Sequence, residues 1–310
     1  MHHVGPIGKP HGTGTLIRQR RLVLGLAAAC ILVPAALFLA NGVASRSAGP
    51  VSGVLGSGSE PADSAHLTIM AFNLAKCGFH RGGLSFRDTS EVRGTLDEIA
   101  ALIRREHVDI AFLSEIVWEA GPCPVNQVTY LAEAAGLDHY AFGENYSFGL
   151  PWYRIRSGNA VISRVPIKAT ALQQLAGPQG LLDPTNCRRA LWVEVDLGFR
   201  QFLAASVRND SFNLENNAVQ VAEILQHAAQ REVVLAGDFN AEPDSASIRR
   251  LLDPSRFQCL PTGCPTYPAR SPDRQIDYIV APSEWVAVSQ SVPETVLSDH
   301  RPVIATFAVR

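Results

Sequence analysis

The chain is 310 residues long, enough for one large domain or two ordinary ones. Its formal net charge is −2, and residues 63–310 carry 22 Lys and Arg against 28 Asp and Glu. That acidic excess excludes a protein that coats nucleic acid through overall charge, while leaving room for a local basic pocket.

In chain order, residues 1–21 are basic and free of acids. Residues 22–40, "LVLGLAAACILVPAALFLA", carry no charge at all. At a rise of ~1.5 Å per residue this run is long enough to cross a bilayer. Arg18, Arg20 and Arg21 just before it predict a cytoplasmic N-terminus and an exported remainder. An uncleaved anchor competes with a signal peptide cleaved near "NGVAS", and the length favours the anchor. The first reading puts the domain on the outer face of the cell membrane; the second secretes it. Residues 41–65, rich in Gly, Ser, Ala and Pro, have too little apolar bulk for a core and read as a flexible tether. The folded domain is expected over 66–310, as a monomer.

Within it, "HLTIMAFN" (66–73) reads as a buried strand. In 89–107, Val92, Leu96, Ile99 and Ile103 recur at helical spacing behind a Ser/Thr cap. "DIAFLSE" (109–115) is the next strand, and 125–136 is a helix stopped by Gly136. "GNAVISR" (158–164) is a strand, and "LWVEVDL" with "RQFLAASV" forms a hairpin turning at Gly198. A helix over 213–230, strand "EVVLAGD" (232–238) and a short helix from about Ser245 follow. "QIDYIVAP", "WVAVSQSV" and "RPVIATFAV" close the chain as strands. Apolar strands want cover on both faces, and too few crossover helices exist for a doubly wound sheet. Two packed mixed sheets flanked by helices satisfy both conditions.

Outside the apolar run lie Cys77, Cys123, Cys187, Cys259 and Cys264. Export makes disulfides the expected state, with one cysteine left over. "CLPTGC" (259–264) is a loop its own ends can staple. Cys77 and Cys123 follow strands that end in candidate catalytic residues and are expected as neighbours, with Cys187 able to replace either. Zinc is not expected, because no close Cys/His pairs surround them.

Polar residues recur where strands meet loops. Asn73 and Glu115 end their strands, and Asp238 ends a third with Asn240 two residues on. Asp277 opens a later strand, and Asp299 and His300 precede the last. Glu115, Asn73 and Asp299 offer hard oxygen ligands suited to Mg²⁺ or Mn²⁺. A His beside a carboxylate suits His300 to general-base work. Each residue alone has an ordinary explanation as a turn former, a cap or a solvated charge; together they make an inventory for metal-assisted phosphoester hydrolysis.

In this order the motifs resemble the endonuclease/exonuclease/phosphatase superfamily, which includes pancreatic-type deoxyribonucleases, abasic-site endonucleases, bacterial sphingomyelinases and inositol polyphosphate 5-phosphatases. "GDFNAEPDS" (237–245) and "SDHRPV" (298–303) carry the resemblance, and "QIDYI" and "GNAVISR" strengthen it. It spans essentially all of 66–310 and implies a four-layered α/β sandwich. By that likeness Glu115 is the metal-binding acid with Asn73 beside it, and Asp238 orients or deprotonates the attacking water. Asn240 contacts phosphate, Asp277 holds the catalytic His300, and Asp299 is the metal-associated neighbour. Asn159 falls in "GNAVISR" and is expected at the substrate. The family's His or Tyr at the end of the next strand falls on Ser206, with the phosphate-binding Asn on Asn209. Ser206 supplies neither cation nor phenol, so Arg208, or failing it Arg154 or Arg156, is expected to supply the charge.

The resulting expectation is an exported, metal-dependent phosphodiesterase acting on nucleic acid ahead of phospholipid. A non-catalytic binding module that keeps the fold is the alternative. Neither an exposed aromatic hairpin for lipid nor a basic stripe for DNA is legible in the sequence.

Overall fold

The computed structural model describes Met1 and residues 13–56, 65–83, 85–177, 187–229, 231–259 and 263–309. Helix α1 (Thr13–Ser47) contains the whole uncharged run and leads into β1 (Val51–Val54). β2 (His66–Asn73), β3 (His80–Gly82) and β4 (Ser85–Phe86) precede α2 (Thr89–Arg105). Then come β5 (Ile110–Ala120), α3 (Gln127–Ala135), β6 (His139–Leu150), β7 (Tyr153–Ser163) and β8 (Ile167–Gln174). β9 (Arg189–Asp196), β10 (Gln201–Arg208), α4 (Leu214–His227), β11 (Val233–Asp238) and α5 (Ala246–Leu251) follow. β12 (Phe257–Cys259), β13 (Asp277–Pro282), β14 (Val286–Ser291) and β15 (Val303–Ala308) end the chain.

Seven strands form one sheet in the order β1-β6-β7-β5-β2-β15-β14, and six form the other in the order β12-β13-β11-β10-β9-β8. The two-residue period of a strand explains the layering. On β2, Ile69 and Ala71 pack between the sheets against Val193, Ala204 and Val234. Met70 and Phe72 point the other way, onto Val92, Leu96, Val128 and Leu131 of α2 and α3. The far face of the second sheet, with Trp192 and Val207, is covered by Val221 and Ile224 of α4 and Ile248 and Leu251 of α5. The four-layered α/β sandwich expected from the sequence is therefore the fold.

Caps delimit the helices as residue type dictates. Asp88 rather than Ser or Thr caps α2, in a reciprocal pair with Glu91. Gly136 ends α3 in the left-handed conformation, at φ 72°. Strands β6 and β8 have no counterpart in the sequence reading. Their polar positions, such as Glu144, Asn145 and Gln173, interrupt the apolar run that marks a strand.

The stretch expected as a flexible tether is partly ordered. Its first residues continue α1, and β1 adds antiparallel to β6, pairing Val51 with Phe142 and Val54 with His139. The backbone of this small-residue segment completes a sheet edge, which needs no large side chain. Residues 57–64 lie outside the described residues. Cys77 and Cys123 are buried free thiols, and burial pushes Cys77 up to about 12. Cys264 is a free thiol as well, and residues 260–262 of the expected staple lie outside the described set.

Candidate active site

Strand pairing gathers the site. β2 and β5 run parallel with Asn73 beside Ser114, so Glu115 comes one residue beyond the shared end. In the facing sheet β10 and β11 are also parallel, with Arg208 beside Asp238, and antiparallel β13 sets Asp277 opposite Asp238. β15 runs antiparallel to β2 with Val303 beside Ala71, which brings the preceding His300 to the same rim. Gly237 allows the closest of these approaches. A Cβ there would lie 2.1 Å from the Val207 carbonyl, at φ +143°.

At the centre His300 Nδ1 donates to Asp277 Oδ2 at 2.8 Å, and Thr266 Oγ1 donates to the same oxygen at 2.6 Å. This leaves His300 Nε2 facing the Asn73 amide nitrogen at 3.4 Å. That nitrogen donates to Asp238 Oδ2 at 3.0 Å and to Glu115 Oε1 at 3.3 Å. Asn240 donates to Asp238 from both its backbone and its side-chain nitrogen, each at 3.0 Å. One network thus joins Asn73, Glu115, Asp238, Asn240, Asp277 and His300. Among the described residues, Asp238, Asp277 and His300 also form an acid/His group whose ligand atoms lie within 4.8 Å of one another. Tyr267 covers the imidazole at 4.8 Å between ring centroids.

Environment divides the charges. Burial opposes a charged His300, but Asp277, with Asp238 and Asp299 behind it, raises its pKa to about 9. Burial and the charge of Asp277 push Asp238 above the usual carboxylate range, against the pull of His300 and Arg208. Glu115 goes the other way: Arg208 and Lys76 overcome its burial and hold it at about 2. Arg208 Nη2 lies 2.6 Å from Glu115 Oε1, and Lys76 pairs with the other carboxylate oxygen. Backbone strain collects here too. Ala75, Lys76, Cys77, Glu115 and Asn240 have positive φ, and His107 is the one other non-glycine residue described that does.

Sequence reasoning missed Lys76, Thr266 and Tyr267. Lys76 had a signal in its place three residues after Asn73, but nothing local to Thr266 or Tyr267 points to Asp277 or His300. Other expected residues do not join the network. Asp299 is exposed, and its carboxylate accepts from Ser298 at 3.2 Å. Asn159 is buried between the sheets, donating to the Arg189 and Ser206 carbonyls. Asn209 is fully buried and meets the site through its backbone carbonyl, which accepts from Asn240 at 3.0 Å. Ser206 is not at the strand end. It is buried, and its hydroxyl donates to the Leu113 carbonyl at 3.1 Å. The residue at the rim is Arg208, two positions on and on the same face of β10. Arg154 and Arg156 are engaged elsewhere, with Glu119 and Glu144.

A pocket of about 700 Å³ opens beside this network. Glu115, Lys76 and Arg208 stand on its wall, with Phe79, Tyr146 and Phe148 among the aromatic lining. Arg208 Nε has no hydrogen-bond partner among the described residues. The Glu115 end also suits a hard divalent cation. Its carboxylate stays ionised, it gathers cationic side chains, and the Asp238 carboxylate adds oxygen nearby; Asn73 turns its amide nitrogen to both acids, while its Oδ1 accepts from the Ala75 backbone at 3.0 Å.

The sequence profile of the Endonuclease/Exonuclease/phosphatase family matches residues 70–300. Among solved structures, an endonuclease/exonuclease/phosphatase from Beutenbergia cavernae is 24% identical with a TM-score of 0.62, covering 79% of this chain and 72% of its own. A family protein from Leptotrichia buccalis is 17% identical at TM-score 0.61, covering 78% of this chain and 100% of its own. A mannosyl-6-phosphatase from Bacteroides thetaiotaomicron is 15% identical at TM-score 0.55, with coverage of 78% and 100%. At these identities the likeness is one of fold. No curated protein matches the sequence. The profile match over most of the domain, on a fold shared with these proteins, makes this chain a member of the Endonuclease/Exonuclease/phosphatase family.

Proposed function

We propose that this chain is a divalent-metal-dependent phosphodiester hydrolase, anchored by α1 with its catalytic domain outside the cytoplasm. The observation that carries the reading is the His300–Asp277 pair facing Asp238 and Asn73, beside the ionised Glu115. Glu115 and Asn73 are the residues that would hold Mg²⁺ or Mn²⁺, with Asp299 at the exposed edge. When bound, such an ion supplies charge stabilisation at the phosphate. Residue chemistry suits His300 to base work, while the family resemblance has Asp238 orient or deprotonate the water; in this reading Asp238 is the base. Its carboxylate is fixed by Asn73 and Asn240, and its raised pKa suits it to take a proton from an attacking water. His300, held charged by Asp277, then offers its Nε2–H to the developing negative charge. Arg208 Nε, with no hydrogen-bond partner among the described residues, is the remaining donor for a phosphate oxygen, and Asn240 would reach one only by giving up its bond to Asp238 or to the Asn209 carbonyl.

The test is turnover of bis(p-nitrophenyl) phosphate, DNA, RNA, sphingomyelin and phosphoinositides by the full chain in detergent, with Mg²⁺ and after chelation. Chelator-sensitive hydrolysis of at least one is expected. A folded chain that turns over none of them is a binding module.

A further inference from the structure

An exposed aromatic hairpin, not legible in the sequence, is present in the structure. The β6–β7 hairpin turns through Pro151 and Trp152, and Trp152 is 68% exposed, with Tyr153 and Phe148 also open. This hairpin is where α1 docks. Asn41, at the end of the apolar run, is buried; it donates to Ser147 Oγ at 3.1 Å and to the Gly149 carbonyl at 3.2 Å. Arg154 Nη1 donates back to Asn41 Oδ1 at 3.0 Å. One turn earlier, Phe38 meets Phe148 edge to face with ring centroids 5.3 Å apart. The rest of the run, including Leu22, Leu24, Ile31 and Leu32, is uncovered by the domain. Arg20–Ser47 is long and apolar enough to cross a membrane.

Phe38 lies two residues before the apolar run ends at Ala40, so it sits only about 3 Å inside that end along the helix axis. If α1 crosses a bilayer, Phe148 stands level with the boundary between acyl chains and headgroups. An exposed Trp and Tyr on the same hairpin match the residue types that settle at that depth, where one end of the ring is apolar and the other wet. Phe148 also lines the pocket that reaches Glu115 and Arg208. The pocket wall and the membrane-level ring are the same side chain.

We propose that the β6–β7 hairpin is a second membrane contact, seated on the bilayer that α1 crosses, and that the pocket opens at this lipid surface to take a phosphoester borne by the membrane. The first half rests on α1 as a membrane span, the second also on the phosphoesterase reading. A partner protein covering the hairpin is the competing occupant.

The experiment uses the full chain reconstituted in phosphatidylcholine/phosphatidylglycerol vesicles. Flotation with the vesicles, resistant to alkali, tests the span by itself. In vesicles brominated near the top of the acyl chains, part of the Trp emission should be quenched, and that part should vanish in Trp152→Phe. Quenching that is absent, or equal in the two proteins, overturns the hairpin contact and leaves the surface to a protein. For the pocket, bis(p-nitrophenyl) phosphate in solution is compared with a nitrophenyl phosphodiester that carries a long acyl chain in the same vesicles. Trp152→Asp should slow the membrane-borne ester about tenfold, the effect of losing roughly 1.4 kcal/mol of interfacial binding, and leave the soluble ester unchanged. Equal rates for wild type and Trp152→Asp on the membrane-borne ester overturn the pocket's orientation. No turnover of the soluble ester by wild type instead removes the phosphoesterase reading, while the quenching result stands.

Discussion

Asp277→Asn separates the two proton carriers of the site. Asp277 is the chief support for the charged form of His300 and also raises Asp238. With Asp238 as base and His300 as a cationic donor, the rate rises as Asp238 ionises and falls as His300 loses its proton near pH 9. Removing the Asp277 charge leaves burial opposed only by the smaller pull of Asp238 and Asp299, which brings the His300 pKa down from about 9 toward the ordinary imidazole value of about 6.5. At pH 8 the protonated fraction then drops from about 0.9 to as little as about 0.03 in that limit, so turnover falls by up to roughly thirtyfold from protonation alone. Stability follows with a definite sign. A folded-state pKa above the unfolded 6.5 stabilises the protein below pH 6.5, and this stabilisation is lost as pH rises through 9. Its ceiling is about 3 kcal/mol, and His300 is buried enough that solvent screening takes little from it. The assay is the pH–rate profile of bis(p-nitrophenyl) phosphate hydrolysis at saturating Mg²⁺, beside unfolding at pH 6 and pH 10. A bound dication lowers both inflections, so the readout is the difference between variant and wild type. A wild-type rate that climbs straight through pH 9 returns the base role to His300. An unchanged alkaline limb in Asp277→Asn refutes the coupling itself.

Glu115→Gln keeps the shape and removes the charge; activity should fall by orders of magnitude and half-saturation with Mg²⁺ should rise, as a metal titration of the rate will show. Lys76→Met removes a cation that competes for Glu115, and because the pair is partly exposed its worth is about 1 kcal/mol, so Mg²⁺ affinity should improve about fivefold by isothermal titration calorimetry. Arg208→Ala should lower turnover about 10–150-fold, from the roughly 1.5–3 kcal/mol of a charge-assisted contact made in the transition state. Ser206→Ala should leave turnover nearly unchanged but cost about 1 kcal/mol in urea unfolding, since its buried hydroxyl bonds to the backbone of β5.

Local pattern was enough to read much of this protein. Val92, Leu96, Ile99 and Ile103 declare a helix by spacing, and the apolar runs ending in Asn73, Glu115 and Asp238 declare strands, because both periodicities are properties of a short segment. The same runs place polar groups where a strand leaves the core, so most of the candidate site was legible before any pairing was known. What pairing alone decides is depth and partnership. Ser206 and Arg208 share a face of β10 and look equivalent in sequence; only the register with β11 puts Arg208 beside Asp238 and Ser206 one level inside. Asn159 reads as a rim residue until β7 is seen between β5 and β6, where its amide joins the two sheets. Lys76 on Glu115, Thr266 on Asp277 and Phe38 on Phe148 are contacts between segments remote in the chain. Their geometry comes from packing two sheets and a docked helix, and no local propensity encodes it.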